Sequence, residues 1–218
     1  MSLLEVVLDF LPRLAVGLRS NVAIATAALA LGMVAGLAMA WTQQSGTGLM
    51  HRLLASTVRG GVSLLRASPT FVLIFFFLNV LPGPWRIMGF EFKITPWWSC
   101  AIALACYATA YVYDNTLEAV GQWRRTRQIE ALALLLPAVV RVFFVMVLSS
   151  GFGAAVGVPE AVSVTISTME RLPDISHRLL VLGSMMLVMT AAFQCIYAAT
   201  RLFKQRLVRK VDMTPPMA

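Results

Sequence analysis

The sequence predicts an all-α integral membrane protein with about five transmembrane helices. Apolar residues (Ala, Val, Ile, Leu, Met, Phe, Trp, Tyr and Cys) make up 59% of the 218 residues, and charged residues make up 13%, about half of their usual share in soluble domains. Many of these apolar residues gather in long uncharged runs, and residues 22–41 are the clearest case. Such runs match the roughly 30 Å hydrocarbon core of a bilayer at 1.5 Å per helical residue. No segment alternates apolar and polar residues as the strands of a membrane barrel do, so helices are predicted.

Five segments are predicted to span the membrane. They are residues 22–41, residues 67–81 with a start one or two turns earlier near Gly61, residues 97–113, a segment within 131–158, and residues 179–200. The preceding residues 1–21 carry too many charges to span and are predicted to form an amphipathic helix on the membrane surface. They also lack the order of a cleaved signal peptide. The chain therefore divides into this N-terminal segment, a transmembrane domain over 22–200 and a basic tail over 201–218.

The distribution of basic residues predicts the orientation of the bundle. Eleven Lys and Arg residues lie between spans one and two, between spans three and four, and in the tail, whereas six lie on the opposite side. The positive-inside rule then places the N-terminus outside and the C-terminus in the cytoplasm of a bacterial inner membrane. The net charge of +8 is explained by basic residues at span ends that contact anionic lipid, so nucleic-acid binding is not predicted.

Several kinds of chemistry are not expected from this sequence. Its two histidines, His51 and His177, fall in predicted loops, whereas a membrane haem or metal site requires ligands on the spans. The three cysteines lie in apolar runs without metal-ligand spacing and are predicted to pack as small apolar side chains. No Gly-rich phosphate loop of the Walker type is present. The sequence therefore predicts no enzyme activity, cofactor or metal.

Polar side chains within or beside the spans are candidates for a translocation pathway. Ionisable groups inside a membrane are costly and tend to be functional, which singles out Arg141 in span four and Asp114 at the end of span three, with Tyr111 one turn before it. The alternatives are that Asp114 ends a helix in headgroup water and that Arg141 extends to the interface. Asn79 is the fourth pathway candidate, with bridging between helices as its alternative role.

The first span carries small residues at four-residue spacing. Gly32 and Gly36 lie on one face with Ala28 and Ala40, and such a face lets another helix approach closely. One interpretation is a packing surface for a second subunit. The other, equally weighted, is packing within this chain.

The order of local motifs resembles the permease subunits of bacterial ATP-binding-cassette importers for polar amino acids, the histidine and glutamine type. The similar segments run through nearly the whole chain. They are residues 17–21 (GLRSN), 31–36 (LGMVAG), 64–70 (LLRASPT, similar to an apolar-Arg-Gly-Thr-Pro entry to span two), 110–114 (AYVYD, similar to Ala-Tyr-x-x-Glu), 136–141 (LPAVVR, similar to Leu-Pro-Gln-Ala-Leu-Arg) and 157–160 (GVPE). No single motif is specific, but the ordered set is moderately so.

This resemblance implies a permease of the type I importer architecture and a set of partners. Two permease subunits, identical or different, form one path. A periplasmic solute-binding protein delivers the amino acid, and cytoplasmic ATP-binding subunits drive the alternation between outward and inward openings. A short cytoplasmic helix of each permease, with a Glu-Ala-Ala-x-x-x-Gly pattern, docks on an ATPase.

The chain departs from the family pattern at that coupling loop. Glu130 and Ala131 could stand for the Glu-Ala pair, but the Gly position is then occupied by a leucine, and the loop is short for the family. Three arginines, Arg124, Arg125 and Arg127, provide an alternative contact for an acidic groove. The other options are a degenerate half whose partner keeps the standard coupling helix, and loss of the importer mechanism.

Two other functional classes compete with the importer permease. The first is a non-transporting membrane subunit, derived from such a permease, that anchors or assembles a complex, and the short loop favours it. The second is a stand-alone secondary transporter, which is disfavoured because those proteins usually carry inverted repeats and none is visible here.

Overall fold

The computed structural model describes residues 3–44, 46, 48–81, 85–87, 90–92, 94–126 and 135–212, with the backbone alone at 85–87, 90–92, 196, 199–200 and 203–212. These residues form a helical bundle with one small antiparallel hairpin. The helices are α1 (Leu3–Thr42), α2 (Leu49–Ala67), α3 (Thr70–Val80), α4 (Pro96–Thr126), α5 (Leu135–Ser149), a 3-10 helix (Ser150–Val156), α6 (Ala161–Glu170) and α7 (Ile175–Asp212). The hairpin pairs β1 (Trp85–Ile87) with β2 (Phe90–Phe92). The prediction of a helical bundle is confirmed.

The first helix continues without a break through the boundary predicted at residue 22. Its 40 residues span about 60 Å at 1.5 Å per residue, roughly twice the hydrocarbon core. The N-terminal half is anchored by Val6, Phe10 and Leu14, which are at most 2% exposed and pack against α6 and α7. This apolar face explains why α1 continues through residue 22, because it gives the charged N-terminal segment a buried side within the bundle.

The predicted second span is bent. Helices α2 and α3 meet at 103°, and the break falls at Ser68 and Pro69, both of which have extended backbone angles. Proline favours extended geometry in the residue before it and lacks the N–H that would continue a helix. Helix α3 has only 11 residues, about 16 Å. The predicted second span therefore contains a sharp bend, and it counts as one span only if the two helices are taken together.

By length and apolar composition, three helical segments of the described chain could cross a membrane, or four if the bent pair counts as one. The three segments are Leu3–Thr42, Leu135–Val156 and Ile175–Cys195, which agree with predicted spans one, four and five. The predicted count of five is not confirmed by this measure. Helix α4 contains the predicted third span. It does not reach this threshold of apolar composition, because tyrosines, tryptophans and Asp114 lower its apolar character.

Helix α4 nevertheless forms the centre of the bundle. It packs against α1, α2, α3, α5 and the 3-10 helix. Its small buried residues, Ala101, Ala105 and Ala108 among them, join the largest apolar core with Ile74 from α3 and Met146 from α5. A helix enclosed by protein contacts little lipid, so polar residues are tolerated on it more readily than on an outer helix.

Candidate functional site

A row of polar side chains follows one face of α4. Tyr107, Tyr111, Asp114 and Glu118 fall within an arc of about 60° at 100° per residue and extend over about 16 Å. The first three are half-buried and Glu118 is exposed. We call these four residues the α4 polar row. Two of the predicted pathway residues, Tyr111 and Asp114, belong to it.

The α4 polar row lies on a different face of α4 from the face that packs on α1. A Cβ added at Gly32 would overlap that of Ala108, and one added at Gly36 would lie 2.8 Å from the carbonyl oxygen of Thr109. These contacts lie on the side of α4 roughly opposite the polar row. Both glycines therefore serve close packing within this chain, the second of the two interpretations. Helix α4 occupies the face that the other interpretation gave to a second subunit.

Asp114 has a specific cationic partner that the sequence pattern did not indicate. Arg66, in the last turn of α2, donates from Nη2 to both carboxylate oxygens of Asp114, at 2.7 and 2.8 Å. The two side chains remain 59% and 44% exposed. Arg66 lies immediately before the 103° bend, so the ion pair ties that bend to the polar row. Motif 64–70 and motif 110–114 thus meet in space.

Arg141 lies at the edge of this region and lines a separate cavity. Its guanidinium lies near Tyr107, and its side chain lines a cavity of 680 Å³ between α5 and α7. The side chain is exposed and has no hydrogen bond or ion pair with a residue that the structure describes. The fourth predicted pathway residue, Asn79, is exposed on α3 and donates to the Phe75 carbonyl oxygen of its own helix at 2.7 Å.

The structure describes part of the predicted coupling loop. Arg124 and Arg125 lie in the last turn of α4, and Arg124 donates to the Gln44 side-chain oxygen at 2.7 Å. Arg125 is exposed. Arg127, Glu130 and Ala131 lie outside the described residues, so their predicted role stays a prediction.

A buried polar node joins segments that are distant in sequence. Asn21 in α1 donates from Nδ2 to Ser150 Oγ at 2.8 Å and to Glu160 Oε2 at 2.9 Å, and its Oδ1 accepts from the Ala161 N–H at 2.9 Å. Asn21, Ser150 and Glu160 are all 0% exposed. Glu160 also caps α6, because its carboxylate accepts from the Val162 and Ser163 N–H groups. Each of these polar groups is therefore satisfied, as burial requires.

The sequence did not predict this node, although Asn21 and Glu160 each lie in one of the motifs described above. Asn21 closes motif 17–21 and Glu160 closes motif 157–160. Gly17 brings the same two segments together, since a Cβ there would lie 2.8 Å from Ala161 Cα. A buried carboxylate held by three donors and serving as a helix cap is a structural element. It fixes α6 against the middle of α1.

The α4 polar row has the features of a surface that a polar solute or a polar partner could contact. It presents two phenol hydroxyls and two carboxylates on an otherwise apolar bundle, with guanidinium groups from α2 and α5 beside it. Among the described residues no group of three or more His, Cys, Asp or Glu side chains is arranged to hold a metal ion. The arrangement therefore offers hydrogen bonding and charge pairing.

Comparison with solved structures finds a likeness of fold. The chain matches one chain of a structure described as the crystal structure of an amino acid ABC transporter with histidines, with a TM-score of 0.72 and 19% sequence identity. The match covers 94% of this chain and 99% of that chain. No protein-family model matches the sequence, and no curated protein matches it. The two chains therefore share a fold from end to end, in agreement with the order of motifs in the sequence.

Proposed function

We propose that this chain is a membrane-embedded permease subunit of an ATP-driven importer for amino acids or similar small polar solutes, and that it forms half of the translocation path. The observation that carries the proposal is the end-to-end likeness to a chain of an amino acid ABC transporter. The apolar helices that are long enough to cross a membrane support the inner-membrane location. Partners follow from this class: a cytoplasmic ATP-binding subunit, a second permease subunit and a periplasmic solute-binding protein.

The α4 polar row supplies the surface for the solute in this proposal. A polar solute that crosses a bundle must exchange its hydration for protein contacts, which the hydroxyls of Tyr107 and Tyr111 and the carboxylate of Asp114 offer. The row is only partly covered by this chain. A second permease subunit placed against it would enclose a path between the two rows. Arg66 holds the Asp114 carboxylate in a fixed position while leaving both groups accessible.

The first experiment asks which proteins associate with the chain. The tagged chain is purified from its native membrane in mild detergent, and the associated proteins are identified by mass spectrometry. The proposal expects an ATP-binding subunit and a permease subunit, the latter either a second copy or a different chain. Recovery of a stable chain without any ATPase would support the anchor or assembly subunit instead and would refute the importer proposal.

The second experiment tests the row itself. The purified complex is reconstituted in vesicles, and ATP-dependent uptake of radiolabelled amino acids is measured for Asp114→Asn and for a matched control, Glu170→Gln, an exposed carboxylate at the end of α6. Loss of a charge-assisted hydrogen bond predicts about tenfold lower uptake for Asp114→Asn, with the control unchanged. Equal uptake by both variants would remove the α4 polar row from the path.

A further inference from the structure

A groove runs between α5 and α7. Three adjoining cavities form it, with volumes of 680, 370 and 290 Å³. The 680 and 370 Å³ cavities share Phe144 and Tyr197 as lining residues. The 290 Å³ cavity shares Leu148 with the 680 Å³ cavity and Phe193 with the 370 Å³ cavity. The α5 side of the largest cavity is one helical face, with residues at positions 137, 140, 141, 144, 145 and 148. We call this feature the α5–α7 groove.

One end of the groove is cationic. Arg141 from α5 and Arg201 from α7 both line the 680 Å³ cavity, and none of the described lining residues is acidic. Neither guanidinium forms a hydrogen bond or ion pair with a described residue. The described carboxylates with known partners pair elsewhere, as Asp114 does with Arg66. Two guanidinium groups that line one cavity, with no counter-charge among the described residues, favour an anion that presents several oxygens, above all a phosphate.

The rest of the groove is apolar and is as long as one leaflet. Beyond Tyr197 the lining passes through Phe193 to Met189 and Met185 on α7. From Tyr197 to Met185 the helix rises about 18 Å, close to half of the roughly 30 Å hydrocarbon core. Methionine side chains adapt to irregular apolar ligands. The groove therefore combines a cationic end with an apolar channel of acyl-chain length.

The cationic end also lies at the level of a headgroup. Arg201 directly follows the predicted fifth span (residues 179–200) and stands at the start of the basic tail predicted to be cytoplasmic. Arg141 lines the same cavity from the N-terminal half of α5. Basic pockets between membrane helices on the cytoplasmic side are a known means of binding anionic lipid headgroups.

From this geometry we propose that the α5–α7 groove binds one anionic phospholipid of the inner leaflet. The phosphate lies between Arg141 and Arg201, and one acyl chain follows Phe144, Leu148 and the methionines of α7. This site is distinct from the α4 polar row, and it does not depend on the proposed transport function. It gives Arg141 a lipid contact in place of the solute contact that the sequence pattern suggested.

The test measures lipid binding by the purified protein with its natural associates. After delipidation in mild detergent, native mass spectrometry follows the binding of phosphatidylglycerol and of phosphatidylcholine with the same acyl chains. Inorganic phosphate is added in a separate arm as a competitor. The proposal expects one saturable phosphatidylglycerol, at least about tenfold weaker phosphatidylcholine binding, and no displacement by millimolar phosphate, because the acyl chain contributes much of the binding.

Variants then locate the site. Arg141→Gln and Arg201→Gln should each weaken phosphatidylglycerol binding about tenfold. A matched control, Arg171→Gln, removes an exposed charge after α6 and should leave binding unchanged. Val145→Trp fills the groove without changing its charge and should also displace the lipid.

Three outcomes would overturn the proposal. They are equal binding of the two lipids, displacement of phosphatidylglycerol by inorganic phosphate, and unchanged phosphatidylglycerol binding in both arginine variants. A fourth concerns Val145→Trp: if it releases a second permease subunit while lipid binding persists, the groove is a protein interface and the lipid assignment is wrong.

Discussion

Replacing Asn21 by alanine removes the centre of the buried polar node. The Ala161 N–H loses its acceptor and the Glu160 carboxylate loses one of its three donors, and both groups remain buried. Each buried polar group without its partner costs about 1–3 kcal/mol, so the free energy of unfolding should fall by about 2–6 kcal/mol. Ser150 also loses the amide donor, although its hydroxyl keeps its own bond to the Val147 carbonyl oxygen at 2.7 Å.

Two control variants make the magnitude interpretable. Ser150→Ala removes one acceptor and leaves the Asn21–Glu160 and Asn21–Ala161 bonds in place, so a loss of about 1 kcal/mol is expected. Asn79→Ala removes an exposed amide that bonds within its own helix, and a change within about 0.5 kcal/mol is expected. Unfolding is followed by tryptophan fluorescence during SDS titration in mixed micelles. If Asn21→Ala is no more destabilising than Ser150→Ala, the node does not hold α6 to α1.

Three further predictions follow from the contacts. Gly32→Ala places a methyl group against Ala108 and should destabilise the chain by about 1–3 kcal/mol. The control Gly60→Ala, with open space around it, should be neutral or slightly stabilising. Equal effects of the two variants in the same SDS titration would contradict the close packing of α1 on α4. Arg66→Ala breaks an exposed ion pair and should lower the free energy of unfolding by less than about 1 kcal/mol, while uptake falls several-fold. A large loss of stability with normal uptake per molecule would show that the ion pair has a structural role and no role in transport. Charge reversal of Arg125 together with Arg124 and Arg127 should weaken co-purification of the ATPase while membrane insertion stays intact, and unchanged association would exclude this cluster as the docking site.

The sequence predicted the positions of four long helices: α1, α4, α5 and α7 lie where spans one, three, four and five were predicted. Spans one, four and five are apolar enough to be found by composition, and the structure places helices there. Helix α4 lies over predicted span three, but apolar composition alone does not mark it as a span, because its small residues and tyrosines suit an enclosed position and lower its apolar character. The 103° bend follows from Pro69, yet a run of apolar residues on both sides of it concealed the break.

The sequence predicted only part of the candidate site. Asp114 was identified as an ionisable residue at the end of a span, and Tyr111 as the residue one turn before it. The partners of such residues come from other helices, and single-sequence periodicity carries no information on which helices meet. Arg66 therefore enters the prediction only through motif 64–70 and the count of basic residues, and Asn21 and Glu160 fall in separate motifs although one hydrogen bond of 2.9 Å joins them.

The same hydrogen bond constrains how the chain is made. Asn21 and Glu160 are 139 residues apart in sequence, and synthesis proceeds at about 5–20 residues per second, so Asn21 emerges roughly 7–28 s before its partner. During that interval the first helix is complete, but its central amide has no carboxylate to bind. The N-terminal half of α1 also waits for α6 and α7, which bury Phe10 and Leu14. Assembly of this bundle is thus completed late, when the last third of the chain closes on the first.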